Sequence, residues 1–349
     1  VENQIEIEHL ENSDLTWEKQ YELNIGINTG FLNKYTLTAD FYVRHHFDLI
    51  SDIKTSGIGG EVFKSINYAD MRSQGIELSL GAKVFERGDW SWNSTFIFSQ
   101  NKNEITNLRN EPRIIELVFQ EGGALQGYPV RGLFSIDFRG LTPESGVPMF
   151  LNEKGEVSSD VTMQSLTTKY LKYEGSIDPT VTGGFSNTFK YKNLSLNLFL
   201  TYQAGNKIRL NPTFKSTYSD LDAMPREFLD RWVLPGDEQR TRVPSIVDVV
   251  TFDKFDNTYY PYNSYNYSTA RVADGSFVRL RTVSLSYALP RNIISFTGFN
   301  NASLTLTGTN LLLLYADKKL YGQDPEFFTS GGVAMPVARQ ITASVKLNF

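Results

Sequence analysis

Leu194-Ser195-Leu196-Asn197-Leu198-Phe199-Leu200-Thr201-Tyr202-Gln203-Ala204 is the stretch that decides the fold. Leu194, Leu196, Leu198, Leu200, Tyr202 and Ala204 fall on one side, and Ser195, Asn197, Phe199, Thr201 and Gln203 on the other. Successive side chains of a β-strand point to opposite faces, so this segment builds one apolar face and one wetter face. The same period of two runs through Leu37, Ala39, Phe41 and Val43, and through Ile76, Leu78, Leu80 and Ala82. It returns in Tyr21, Leu23, Ile25 and Ile27, and at the end in Ile341, Ala343, Val345, Leu347 and Phe349.

Nine segments read this way: about 19–30, 35–48, 72–85, 90–103, 179–190, 194–205, 276–289, 302–314 and 338–349. Strands of soluble proteins cluster near 5–6 residues, whereas tilted membrane strands need about 9–11. The seventh segment slips phase near Thr282, which predicts a bulge or a strand leaving the lipid zone. Connection lengths are sorted by parity. Short links follow the odd segments (Phe31–Lys34, Glu86–Asp89, Lys192-Asn193, and Pro290 to about Asn301). Long ones, about 49–71, 104–178, 206–275 and 315–337, follow the even segments. Short periplasmic turns and long extracellular loops are how outer-membrane barrels are built, and a soluble sandwich has no reason to sort its loops so. Phe31, Tyr35, Phe85, Trp90, Phe189 and Tyr287 gather at the short-turn ends, where an interfacial girdle is expected. Single-chain bacterial barrels close with an even strand number, so nine strands predict a part of a larger barrel.

Composition agrees. The 349 residues are 40% apolar and 13% aromatic, with a net charge of −5 that points to no nucleic-acid partner. The chain has no Cys, which excludes disulfides and thiolate chemistry, and its 3 His leave little for a zinc site. No apolar run approaches the roughly 20 residues of a membrane helix, which barrels do not need. Val1-Glu2-Asn3-Gln4 offers no basic or apolar leader, as expected of an unexported protein or of a mature or truncated piece.

Several motifs then appear in order. They are Leu15-Thr16-Trp17-Glu18-Lys19 with Asn24-Ile25-Gly26, and Met71-Arg72-Ser73-Gln74-Gly75-Ile76-Glu77-Leu78. Asp230-Arg231-Trp232 with Pro235-Gly236-Asp237 precedes Gly275-Ser276-Phe277-Val278-Arg279-Leu280-Arg281. Thr309-Asn310-Leu311, Asp324-Pro325-Glu326, Pro336 and Arg339 complete the set. Taken together they resemble the C-terminal barrel region of the SusC/RagA-like TonB-dependent transporters. The resemblance implies a plugged barrel of about 22 strands, the size class that holds a filled lumen. It implies import of oligosaccharides or peptides with a SusD-like lipoprotein at the mouth, and TonB acting through an N-terminal segment. A dimer of transporter–lipoprotein pairs is the assembly it suggests. The chain shows no plug and no TonB box, so it is expected to supply barrel wall, lumen lining and extracellular loops, alongside an N-terminal plug and barrel portion and outer-membrane lipid.

No catalytic set and no metal or cofactor motif can be assembled. His45 and His46 occupy opposite-facing strand positions and cannot share one metal. The aromatic loop Thr258–Tyr267 offers Tyr259, Tyr260, Tyr262 and Tyr265, with Trp232 nearby, as extracellular substrate-binding candidates. Packing of that loop onto its neighbours is the more economical use of the same rings. Residues 219–233 read as a short helix, and Gly146–Val157 as a small hairpin whose Asn152, Glu153 and Glu156 lack EF-hand spacing. Asp40, Arg44, Glu77 and Lys83 fall on the wetter parity and are the lumen-lining candidates. An outer-membrane enzyme or adhesin is the alternative reading, and a soluble β-module is disfavoured by the large apolar stripes.

Overall fold

The alternating segments form long strands in a computed structural model, which describes residues 12–55, 63–214, 224–246, 261–295, 298–326 and 338–348. In chain order the strands begin with β1 (Lys19–Phe31), β2 (Tyr35–Lys54), β3 (Phe63–Arg87) and β4 (Trp90–Leu108). Short ones follow: β5 (Gly132–Ser135), β6 (Asp137–Leu141), β7 (Pro148–Leu151), β8 (Val157–Ser158) and β9 (Lys172–Ser176). Then come β10 (Val181–Tyr191), β11 (Leu194–Ala204), β12 (Lys207–Arg209), β13 (Val272–Asp274), β14 (Phe277–Ala288), β15 (Asn301–Tyr315) and β16 (Gln340–Asn348). Nine of these make one antiparallel sheet in the order β1-β2-β3-β4-β10-β11-β14-β15-β16. Among the described residues it is an up-and-down meander open between β1 and β16, which are its edges.

Register converts the alternation into two continuous faces. Leu37, Ala39 and Phe41 stand opposite Leu80, Leu78 and Ile76. Leu196 and Leu198 meet Leu285 and Val283, and Leu285 and Tyr287 meet Leu306 and Leu304. On the other face, Asn197 faces Ser284, which faces Thr307, which faces Thr342. Side-chain hydrogen bonds cross this wet face, Ser284 to Thr307 at 3.0 Å, Ser286 to Thr305 at 2.9 Å and Asn197 to Thr188 at 2.9 Å. The apolar face is uncovered: Leu23, Ile25 and Ile27 are 57%, 57% and 59% exposed. Such a surface aggregates in water, but in a bilayer it meets acyl chains. The bilayer is its solvent.

The girdle forms on that apolar face at the short-turn end. Phe31 stacks on Tyr35 at 5.1 Å, Trp90 meets Tyr191 at 4.3 Å, and Trp92 stacks on Phe189 at 5.4 Å. The Trp92 indole donates to Asn187 Oδ1 at 2.9 Å, which pairs the indole N–H with the amide oxygen on the face toward lipid. The hairpins turn through left-handed residues, among them Gly88 (φ 59°) and Lys192 (φ 50°), as tight β-turns require. The phase slip at Thr282 is a bulge: Phe199 faces Thr282 and Leu200 faces Leu280, leaving Arg281 as the extra residue.

Some strands run past their expected ends. After Asp48 adopts a left-handed φ of 56°, β2 and β3 resume pairing from Ile50 opposite Asn67 to Lys54 opposite Phe63. Asn67 pins this bulge, donating to Asp48 O at 2.8 Å and Thr16 O at 2.9 Å. Above the lipid both faces are wet, so alternation fades although the ladder continues. The long connections are folded too. Residues 104–178 hold the helix Ile114–Val118, the pair β5-β9 and the sheet β6-β7-β8, and β12 pairs with β13. Their shared core includes Ile114, Ile136, Phe138, Phe150, Val161 and Phe228. Burying each such side chain contributes about 1.5–3 kcal/mol. Among the described residues no helix is long and apolar enough to cross a membrane.

Candidate functional site

Where the loops sit follows from which wall residues they bury. At the long-connection end, Ile105, Phe277 and Arg279 are 2%, 4% and 3% exposed, and all three lie on the wet parity. Beside Ile105, the lipid-parity residues Arg72, Gln74, Lys102 and Glu104 are more open to solvent. The loops therefore fold inward over the wet face. The contacts agree: Ile105 N–H donates to Tyr128 O at 2.9 Å, Gly127 N–H to Ile105 O at 2.9 Å, and Val130 N–H to Asn103 Oδ1 at 3.0 Å. The wet face with its folded cap is the candidate site.

Buried arginines hold the cap. Arg271 pairs with Glu227, donates to Asn211 O at 2.7 Å and reaches the Thr213 hydroxyl, which donates to Glu227 at 2.7 Å. Arg209 donates to Phe134 O at 2.6 Å, Ser135 Oγ at 2.9 Å and Ser268 O at 3.0 Å, tying three segments at one point. Complete burial pushes its pKa down to about 9, so it stays cationic at neutral pH. Burial likewise raises the Tyr265 phenol to about 12, so this ring stays neutral. On the wall, Arg279 pairs with Asp324, and Arg281 reaches Glu326 at 2.7 Å and Asn310 at 2.9 Å. This network fastens the loop after β15 to the bulge in β14. Arg279, Arg281, Asn310, Asp324 and Glu326 all belong to the motifs quoted above, but the sequence reading did not pair them; the opposite charges within those motifs are the signal that could have done so.

The lumen-lining candidates share the wet face. Asp40 stands directly opposite Glu77, an unfavourable juxtaposition of like charges on paired strands. Arg44 reaches Glu22 at 3.1 Å and lies 4.3 Å over the Tyr42 ring. Lys83 is opposite Asn93, nearer the short turns and apart from the other three. Tyr42 in turn covers Gly75, where a Cβ would lie 2.6 Å from Gln100 O. His45 and His46 point to opposite faces, His45 opposite Arg72 and His46 opposite Met71.

The aromatic candidates lie elsewhere. Tyr262 and Tyr265 are 4% and 2% exposed, within the helix Pro261–Asn266, and pack on Phe214 at 5.3 Å each. Trp232 is 8% exposed beside Gly146, whose left-handed φ of 67° leaves the ring its place, and its indole donates to Glu238 at 3.3 Å. These three rings hold the cap together. Tyr259 and Tyr260 lie outside the described residues, as do 219–223 of the short helix; within the rest, Arg226–Asp230 is a 3-10 turn. The stretch read as an aromatic loop is helical in its described part because Pro261 opens the turn. In the hairpin, Asn152 accepts from Lys154 N–H at 3.0 Å and Glu156 N–H at 2.9 Å, and Glu153 from the Thr162 hydroxyl at 2.8 Å. These carboxyl and amide oxygens are used in turns, and among the described residues no cluster of His, Asp and Glu is set to hold a metal ion.

No family model matches the chain. It is 25% identical over 334 residues to "TonB-dependent receptor P3" of Formosa agariphila, covering 90% of this chain and 31% of that protein. It is 27% identical over 373 residues to "TonB-dependent receptor P26" of the same organism, covering 97% of this chain and 35% of the receptor. It therefore spans about a third of the length of these relatives. A 99-residue stretch, 28% of this chain and 10% of the relative, is 33% identical to "TonB-dependent receptor SusC" of Bacteroides thetaiotaomicron. Among solved structures, the RagAB peptide transporter superposes over 98% of this chain and 36% of its own, with a TM-score of 0.76 and 26% identity.

Proposed function

We propose that this chain, a SusC/RagA-like part of a TonB-dependent outer-membrane barrel, lines and caps the entry route of a nutrient importer. The observation that carries the reading is the cap folded inward over the wet face of the wall. Mouth and lumen lining are thus one continuous polar surface, while the opposite face is left to lipid. The substrates are oligosaccharides or peptides. Asp40 and Glu77 with Arg44 and Lys83 present both signs of charge, which suits solutes that carry hydrogen-bonding groups throughout rather than one dominant charge. Likeness to the RagAB peptide transporter supports the peptide arm.

In the proposed cycle a SusD-like lipoprotein captures solute and closes on the mouth. A plug contributed by the rest of the transporter then yields to TonB and opens the path along the wet face. The rigid cap matters here, because a pre-organised surface loses less entropy when the lipoprotein or solute docks. The test is to extract the full-length transporter from its native outer membrane in mild detergent and identify what accompanies it by mass spectrometry. A co-purifying surface lipoprotein carrying peptides or glycans is the expected result. Recovery without any lipoprotein, together with unchanged peptide and oligosaccharide uptake in cells lacking the gene, would overturn the reading.

A further inference from the structure

The apolar face does not end uniformly. On β3 and β4 the lipid parity runs upward through Ile76 and Phe98 and then becomes polar, with Gln74 and Arg72 on one strand and Gln100, Lys102 and Glu104 on the other, while β2 beside them keeps Val43 and Phe47 around His45. By register Gln100 stands level with Val181 of β10 and His45 with Tyr21 of β1, and there the same parity is apolar. The charged patch is therefore local.

Its height can be worked out. From Tyr35 in the girdle to His45 on the same strand the wall climbs about 25 Å, taking 3.4 Å per residue and a tilt near 40°. That equals the apolar band of an outer-membrane barrel. Arg72, opposite His45, and Lys102, opposite Gln74, therefore stand at the headgroup level of the outer leaflet. They are on the outside of the barrel, away from any solute path.

The patch is also grooved. A cleft of about 410 Å³ is lined by Phe41, Gln74, Gly75, Ile76, Gln100 and Lys102. A smaller one of about 50 Å³, lined by Arg72, Gln74, Lys102 and Glu104, adjoins it through Gln74 and Lys102. The groove has an apolar lower end and a cationic upper end. Arg72 donates to Gln74 Oε1 at 3.2 Å, and among the described residues neither Arg72 nor Lys102 has an ion-pair partner. Glu104 stands opposite Arg72, and Asp70, two residues above Arg72 on the same parity, is occupied by hydrogen bonds from Asp48 N–H at 2.9 Å and Asn107 at 3.2 Å.

We infer that this groove binds a phosphorylated glycolipid of the outer leaflet, with phosphate on Arg72 and Lys102 and the upper acyl methylenes on Phe41 and Ile76. Charge complementarity selects the headgroup, since guanidinium and ammonium groups at a membrane surface attract phosphate. The apolar floor selects a lipid over a free anion. The inference rests on the outer-membrane placement of the wall and not on the import reading, so a failed uptake assay leaves it untouched.

The test uses the full-length transporter in mild detergent, with lipopolysaccharide extracted from the same membrane as the probe. R72Q/K102Q should weaken binding about 30-fold and K102Q alone about 5-fold, while E104Q should bind as well as the parent or better. Phosphatase-treated lipopolysaccharide should bind the parent as weakly as the intact lipid binds the double variant. The heat-dependent gel shift of a folded barrel confirms that each variant is intact. Equal binding by parent and R72Q/K102Q, equal binding of the dephosphorylated lipid, or displacement by equimolar inorganic phosphate would each overturn the inference.

Discussion

Replacing Glu227 by Ala isolates what the buried ion pair contributes to the cap. The Arg271 side chain is 4% exposed and that of Glu227 11% exposed, so the variant leaves a buried guanidinium without its carboxylate. Removing one member of such a pair costs about 3–5 kcal/mol, because the remaining charge is left uncompensated out of water. At 1.4 kcal/mol per factor of ten, this lowers the protection of cap amides by about two to three and a half powers of ten. The Thr213 hydroxyl also loses its nearer acceptor and keeps only Asn211 O at 3.3 Å, which adds to the same loss. Hydrogen exchange on the full-length transporter in detergent reads the effect from peptides spanning 205–214 and 261–276, with β10 and β11 as internal reference. The paired replacement E227L/R271M restores electrical balance and should cost less than E227A alone, which a double-mutant cycle would register as coupling. Unchanged cap protection in E227A, or a loss shared equally by β10 and β11, would refute the reasoning.

Other expectations concern wall, turn and pH. L198R should cost about 2–4 kcal/mol by placing a cation on the lipid face near mid-height, whereas N197R, on the lumen face, should cost little. The urea midpoints of reconstituted barrels separate the two. G75V and G183V should lower the unfolding temperature seen by heat-dependent gel shift, since a Cβ at either site falls inside contact distance of a backbone carbonyl, Gln100 O or Ile97 O. G30A should leave that temperature unchanged, because the nearest atom there is at an ordinary 3.7 Å. Burial opposes ionisation of Glu153, but hydrogen bonds from the Thr162 backbone and hydroxyl outweigh it and hold the carboxyl below its usual range. Its stabilising effect is thus present above the ordinary carboxylate pKa of about 4.3 and is lost as pH falls through the lowered value. Protection of 150–163, corrected for intrinsic rates, should drop below about pH 4 in the parent and show no such step in E153Q.

Most of the wall was legible because one face meets lipid and the other water, which writes a period of two into every strand. Even the bulge at Arg281 left its mark as a phase slip. What lay above the lipid was less legible. β2 and β3 continue to Lys54 and back from Phe63, yet both faces there are solvated and no alternation remains to report the pairing. The cap reads as loops because its strands are short and its order depends on contacts distant in sequence, such as Arg209 with Phe134 and Arg271 with Glu227. The candidate site divided along the same line. Parity placed Asp40, Arg44, Glu77 and Lys83 on one face, since facing follows from counting. Tyr262, Tyr265 and Trp232 could not be assigned by counting, because a ring that packs and a ring that binds share one composition.

The central claim is that alternate residues of these strands face lipid and lumen, and the absence of Cys from this chain makes it directly testable. Single Cys replacements at Leu196, Leu198 and Leu200, and at Asn197 and Thr201, would be labelled in the full-length transporter, with any Cys elsewhere removed, after reconstitution in bilayers. A fluorophore at the first three positions should be quenched by bromine on the lipid chains and be inaccessible to a membrane-impermeant maleimide. At the other two positions the expected pattern is the reverse. Uniform aqueous labelling at all five positions would contradict the barrel account and return the chain to the soluble β-proteins.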